Sequence, residues 1–200
     1  TVSEVLATLS GDAYGAHMHE YPGIDAMRLI VGTEKRVYAA DATSVAWDDL
    51  SSVTYNSAGI SNPWRFATHG TYVVATSGQN RVMHSNGTST FSAAASTATL
   101  SAQVITATDD FVMLGGYTNA GAYVGDGWWC SAINDPTSYT LNVATQCVTG
   151  RLYGTPGGIT AMKHYQGNII AFKRRAMHLG VYQGPPLVWS WSTISRNIGC

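Results

Sequence analysis

The sequence of 200 residues predicts an all-β protein made of repeated groups of short strands. Short apolar, β-branched runs alternate with turns rich in Gly and Asn, which accept the positive φ of tight turns. The clearest example is Tyr72–Ala94, read as YVVATS, RVMHS and TFSAA with a tight turn after each of the first two strands. Charged residues make up only 12% of the chain, and 21 glycines supply the turns.

The order of features in this stretch recurs in four places. Each place has an apolar strand, a turn, a second strand and then an aromatic residue in a last strand. The apolar strands are RLIVGT, YVVATS, FVMLGG and NIIAFK, beginning at Arg28, Tyr72, Phe111 and Asn168. The aromatic residues of the last strands are Trp47, Phe91, Tyr139 and Trp189. The sequence therefore predicts about four units.

Three of the units also contain a leading strand, marked by Ala67, Ala107 and Ala161. In the first unit only 23–27 occupies this place, so we expect its leading strand to be short or absent. A period of roughly 40–50 residues with four strands is the signature of a β-propeller blade. We predict an irregular lead-in over 1–23 and β-propeller blades over 24–200. The alternative is a β-sandwich, which also has regularly spaced short strands.

Charge and cysteine content exclude several classes of protein. The net charge is −1, and the sequence lacks the basic stripe that nucleic-acid binding requires. The one basic cluster, Lys173, Arg174 and Arg175, falls on a predicted hairpin turn and is expected to be a solvated tip; in a ring of copies it would form a basic collar. Three widely spaced cysteines give neither a disulfide framework nor a metal pair. No apolar run is long enough for a transmembrane helix.

Candidate sites in the sequence are few. His17 and His19 would share one face of a strand and could bind a metal with Glu20 or Asp25, although two surface histidines are the favoured interpretation. No GxSxG, Walker, HExxH or GxGxxG motif is present, so neither an enzyme nor a cofactor is predicted.

Two long connecting segments, 115–126 and 142–158, are the predicted contact surfaces, because loops carry function more often than strands do. Their tyrosines are natural interface anchors. The predicted interface residues are Tyr117, Tyr123, Tyr153, Lys173, Arg174 and Arg175.

The second half of the chain resembles virion proteins of tailed bacteriophages. The first half resembles them only loosely. The resemblance lies in GWWCSAINDPTSY and in the segment from GRLYGTPGGI through GPPLVWSW to IGC. It implies a β-propeller component of the tail hub, nozzle or neck, arranged as a ring of copies on the tail axis and without enzymatic activity. Since such proteins are usually much longer, we expect a fragment or a small relative with few blades.

Three functions follow as hypotheses. The first is a structural virion protein of the phage tail or neck, a homo-oligomer that contacts other virion proteins around the DNA channel without binding the DNA specifically and without a membrane. The alternative is a carbohydrate-binding, receptor-recognising β-propeller lectin. A glycan-cleaving enzyme is the third, and it would need two converging carboxylates that no spacing singles out.

Overall fold

The computed structural model describes residues 8–21, 26–40, 46–96 and 99–200. The described residues form sixteen strands and contain no helix, which confirms the all-β prediction. In chain order they are β1 (Ala13–Tyr21), β2 (Ala26–Thr33), β3 (Val37–Ala40), β4 (Trp47–Asp49), β5 (Arg65–His69), β6 (Tyr72–Ser77), β7 (Asn80–Ser85), β8 (Ser92–Ala93), β9 (Leu100–Ala107), β10 (Val112–Asn119), β11 (Ala122–Cys130), β12 (Thr149–Arg151), β13 (Ile159–Tyr165), β14 (Asn168–Lys173), β15 (Ala176–Gly184) and β16 (Val188–Ser195).

The strands fall into four successive groups of four, called units 1 to 4. Within each unit the chain runs up and down, and every strand pairs antiparallel with the next. Units 1 and 4 are separate four-stranded sheets, whereas units 2 and 3 join into one sheet of eight strands. The join is a single antiparallel pair, Arg81 with Ser101.

The hydrophobic core lies between successive units. One cluster contains Ile30 of unit 1 and Val73 of unit 2. A second contains Val74 of unit 2 and Leu114 of unit 3, and a third contains Met113 of unit 3 and Ile169 of unit 4. A four-stranded sheet cannot bury both faces by itself, so each unit is stabilised by its neighbours. The second strand of each unit contributes residues to every one of these clusters.

The first unit has a full leading strand, and the prediction that it is short or absent was wrong. Ala13–Tyr21 forms nine residues of β1, paired along its length with β2. The predicted irregular lead-in over 1–23 is wrong for these residues as well. The strand was not predicted because Gly15 was interpreted as a break in the chain. A Cβ added at Gly15 would lie 2.3 Å from the Trp64 carbonyl oxygen, so this position needs glycine for a close approach and not for a turn.

The segment 115–126 is not a long loop. It is mostly the two strands β10 and β11, joined by a tight turn at Ala120 (φ 49°) and Gly121 (φ 83°). A register shift between Gly115 and Tyr117 introduces a bulge at Gly116 (φ 58°). The glycines of 115–126 therefore belong to a bulged β-hairpin and not to the long loop that was predicted.

The segment 142–158 contributes a strand to unit 3. Thr149–Arg151 forms β12, the fourth strand of that unit. Tyr139, the aromatic expected in that strand, lies outside it. Its side chain is fully buried, and its carbonyl oxygen accepts a hydrogen bond from Trp129 Nε1 at 3.2 Å. The aromatic residue keeps its place in the core although the strand assignment was wrong.

Candidate interaction surfaces

Two of the predicted interface residues are buried. Tyr117 lies in β10 with 8% of its surface exposed, packs edge-on against Trp129 and shares a hydrogen bond of 3.2 Å with Thr149 Oγ1. Lys173 ends β14 and is fully buried, and its Nζ donates to the carbonyl oxygens of Leu152 (2.6 Å) and Thr155 (2.8 Å). Neither residue reaches the surface, so neither supports the contact predicted for it.

The other four are exposed, and they lie on three different segments of the chain. Arg174 and Arg175 form the two-residue turn between β14 and β15. Tyr153 is 71% exposed, and the Arg151 guanidinium lies 5.1 Å from the centre of its ring. Tyr123 is 55% exposed on the β10–β11 hairpin, and its hydroxyl bonds Gln103 at 3.3 Å.

A surface that the sequence prediction missed is the face of unit 4 that points away from unit 3, here called the tail face. Ile169 and Ala171 of β14 are fully buried against unit 3. Ile170 and Phe172 point to the opposite side of the sheet and are only partly buried. Cross-strand neighbours extend the apolar surface: Leu179 pairs with Ile170, and Met177 pairs with Phe172.

A matching surface lies on unit 1, on the side away from unit 2, and is called the head face. Ile30 is fully buried against unit 2, whereas its neighbour Leu29 points the other way and is partly buried. Met18 pairs with Leu29 and is 49% exposed. The next cross-strand pair on this side is Val31, which is buried, and Tyr38, which is partly buried, so the open part of the head face centres on Leu29 and Met18. The continuous apolar runs LIV (29–31) and IIAF (169–172) are the signal for both faces, because such runs are typical of strands buried on both sides.

Polar contacts also join units 1 and 2. His17 Nε2 lies 2.8 Å, and His19 Nδ1 3.2 Å, from the hydroxyl of Thr68 on β5. The prediction that both histidines share a face of one strand is confirmed, but His19 is fully buried and is not a surface residue. Of the proposed metal ligands, Asp25 lies outside the described residues. Among the residues that are described, no group of three His, Cys, Asp or Glu side chains could hold a metal ion.

Acid is expected to destabilise the fold through these histidines. Burial lowers the pKa of His17, His19, His84 and His178 from 6.5, and in His17 the neighbouring His19 lowers the pKa further. The unfolded chain then binds more protons, so the stabilisation is complete above about pH 6.5 and decreases as the pH falls below that value. Thermal melts between pH 8 and 5 should show a falling midpoint. The double variant H17Q/H19Q should show a flatter slope; an unchanged slope would place the effect elsewhere.

A cleft opens between the strands of unit 2 and the segment that follows unit 1. Its volume is about 420 Å³, and its lining includes Tyr55, Asn56, Asn80, Arg81 and Met83. Asn80 Oδ1 accepts from the Asn56 amide N at 2.9 Å, and Asn80 Nδ2 donates to the Asn56 carbonyl at 3.0 Å. These reciprocal bonds hold the cleft wall in place, while the Tyr55 ring itself is buried in the core between units 1 and 2.

The fold and its surfaces define a class: an all-β repeat protein of antiparallel four-stranded units with an apolar face at each end of the series. No family model matches the chain, and no curated protein matches it. Among solved structures it is similar to the crystal structure of the computationally designed Ika4 protein, with a TM-score of 0.56 and 10% sequence identity over 98% of this chain and 99% of that chain. At that identity the likeness shows the fold alone. The described part of the chain has no helix that could cross a membrane.

Proposed function

We propose that this chain is a structural, non-enzymatic virion protein of a tailed bacteriophage. Its four units would act as β-propeller blades in the tail or neck, in a ring of copies that contacts other virion proteins around the DNA channel. The observation that carries the assembly role is the pair of apolar end faces, since exposed apolar patches of this kind mark protein contacts. The resemblance of the second half of the sequence supports the phage setting.

The propeller arrangement is supported by the order of contacts between units. The first strands β1, β5, β9 and β13 contact one another in succession. Each core cluster is shared by two neighbouring units. Blades around an axis have this pattern, with their first strands innermost. Arg174 and Arg175 would then lie on a hairpin repeated around the ring.

The test of the virion role is direct detection of the chain in particles. Virions are purified by density gradient, and their surface is treated with protease. Peptide mass spectrometry should then find the chain at a fixed copy number per particle. Detection of the chain in infected cells but not in gradient-purified particles would overturn the proposal. Electron cryomicroscopy of the particles would then locate the copies on the tail axis.

The cleft lined by Asn56 and Arg81 supports a second candidate, a glycan-binding protein. Both side chains are exposed, and amide and guanidinium groups can form hydrogen bonds to sugar hydroxyls. A glycan array with the purified chain tests this function. Binding that is lost in the double variant N56A/R81A and kept in Y153A would favour it, and an array without signal would reject it.

A further inference from the structure

The two end faces correspond to the two sides of the contact that joins successive units at three places in the chain. In units 2 and 3 the second strand is buried on both sides: Val73 and Val74 are fully buried, as are Val112 and Met113. In unit 4 the same strand is buried on one side only, leaving Ile170 and Phe172 partly exposed. In unit 1 it is Leu29, on the opposite side of the strand, that is left partly exposed.

The orientation of these faces determines what can cover them. Inside the chain, the side of each unit that faces forward along the sequence packs on the backward side of the next unit. The tail face of unit 4 is a forward side, and the head face of unit 1 is a backward side. The partner that repeats the internal packing on the tail face is therefore another unit 1, and the partner on the head face is another unit 4.

We propose that the tail face binds the head face of a second copy of this chain, head to tail. This inference rests on the proposed assembly role and adds the identity of the partner and the register. Continuity with the three internal interfaces favours a second copy over an unrelated partner, because the same backbone register and the same kind of apolar strand already pack in this way. A heterologous contact of this type forms a ring if the rotation closes and a filament if it does not.

The internal contact between units 1 and 2 gives the register. His17 and His19 pair with Ile30 and Arg28, and both reach Thr68, which pairs with Val73.

The equivalent positions follow from the strand ladders. In unit 4, Lys163 pairs with Ile170 and Tyr165 with Asn168, so they take the places of His17 and His19. In unit 1, Met18 pairs with Leu29 and takes the place of Thr68. Lys163 and Tyr165 are therefore expected to contact Met18 of the second copy.

Charge complementarity agrees with this register. Glu20 lies two residues beyond Met18, on the same side of β1, about 7 Å along the strand. Lys163 carries the opposite charge on the tail face. Both side chains are exposed, and neither forms an ion pair with another described residue. A Lys side chain can span this distance, so the predicted register places an ion pair between the copies.

The first experiment uses complementary blocking of the two faces. F172D disrupts the tail face and L29D disrupts the head face. Each is expected to raise the Kd of self-association about thirtyfold or more in sedimentation velocity or native mass spectrometry. Mixed in equal amounts, the two variants should form a heterodimer and nothing larger, since one intact head face and one intact tail face remain. The control is L141D, which is outside both faces and should assemble as the unmodified chain does.

The second experiment tests the register without altering an apolar residue. K163E and E20K should each raise the Kd of self-association about fivefold, and the double variant should recover the original Kd. Circular dichroism checks that all variants stay folded. A folded unmodified chain that stays monomeric up to millimolar concentration would overturn the inference, even if the chain is found in virions. If F172D and L29D leave the Kd of self-association unchanged, the copies bind through another surface. If K163E and E20K leave the Kd unchanged, the proposed register is wrong.

Discussion

The W64A variant is expected to lose about 3–5 kcal/mol of unfolding free energy, as large-to-small aromatic substitutions in a core do. Trp64 precedes β5 and is 2% exposed between units 1 and 2. Its ring contacts Tyr55 edge-on at 5.3 Å and stacks on Phe66 at 6.3 Å. Its Nε1 donates to the Thr33 carbonyl at 2.8 Å, and the carbonyl loses this buried hydrogen bond in the variant.

Gly32 provides an internal control for this prediction. A Cβ at Gly32 would lie 2.3 Å from the Trp64 ring, so G32A should destabilise the protein through overpacking. In the double variant G32A/W64A the clash is absent, and the two losses should be less than additive. Urea unfolding followed by circular dichroism measures all three. A loss below about 1 kcal/mol for W64A would contradict the packing described for this interface.

The K173M variant is expected to lose about 2–4 kcal/mol, because two buried carbonyl oxygens lose their donor. Those carbonyls belong to Leu152 and Thr155, in the segment between β12 and β13. Burial of the ammonium lowers the pKa of Lys173, yet the two hydrogen bonds hold the segment against β14. K173M should also make the region near Thr155 sensitive to limited proteolysis at native conditions.

The neighbouring arginine gives the matched control. Arg174 is one residue away and fully in the turn, so R174M should change the unfolding free energy by no more than about 0.5 kcal/mol. Equal losses in the two variants would mean that the charge of the cluster matters and that the buried contacts of Lys173 do not. Chemical denaturation with both variants in parallel decides this.

The positions of the repeats were predictable because periodicity is local. The apolar strands at Tyr72–Ser77 and Asn168–Lys173 were predicted at their observed bounds, since turns and β-branched runs report on their own conformation. Phe91 and Trp189, two of the aromatic residues that mark the repeat, are both buried in the core. The predictions for 1–23 and 115–126 were wrong because their glycines do not mark irregular loops. Gly15 allows Trp64 to approach the backbone closely, and Gly116 lies in a β-bulge.

The interface residues were harder to predict, since exposure is a property of the assembled units. Lys173 and Arg174 are adjacent and chemically alike, yet one is buried beneath the 152–155 segment and the other is in solvent. Tyr117 and Tyr123 belong to the same hairpin, yet Tyr117 is buried and Tyr123 is exposed. No local pattern separates the members of these pairs.

By itself the sequence determined the class of fold, the repeat of four strands and the strands apolar on both sides, because each depends on residues close together in the chain. Only the tertiary structure decided which sides of those strands are covered, and so revealed the head and tail faces. The reason is physical: burial of Val73 or exposure of Ile170 depends on whether another sheet, distant in sequence or in a second copy, lies against it.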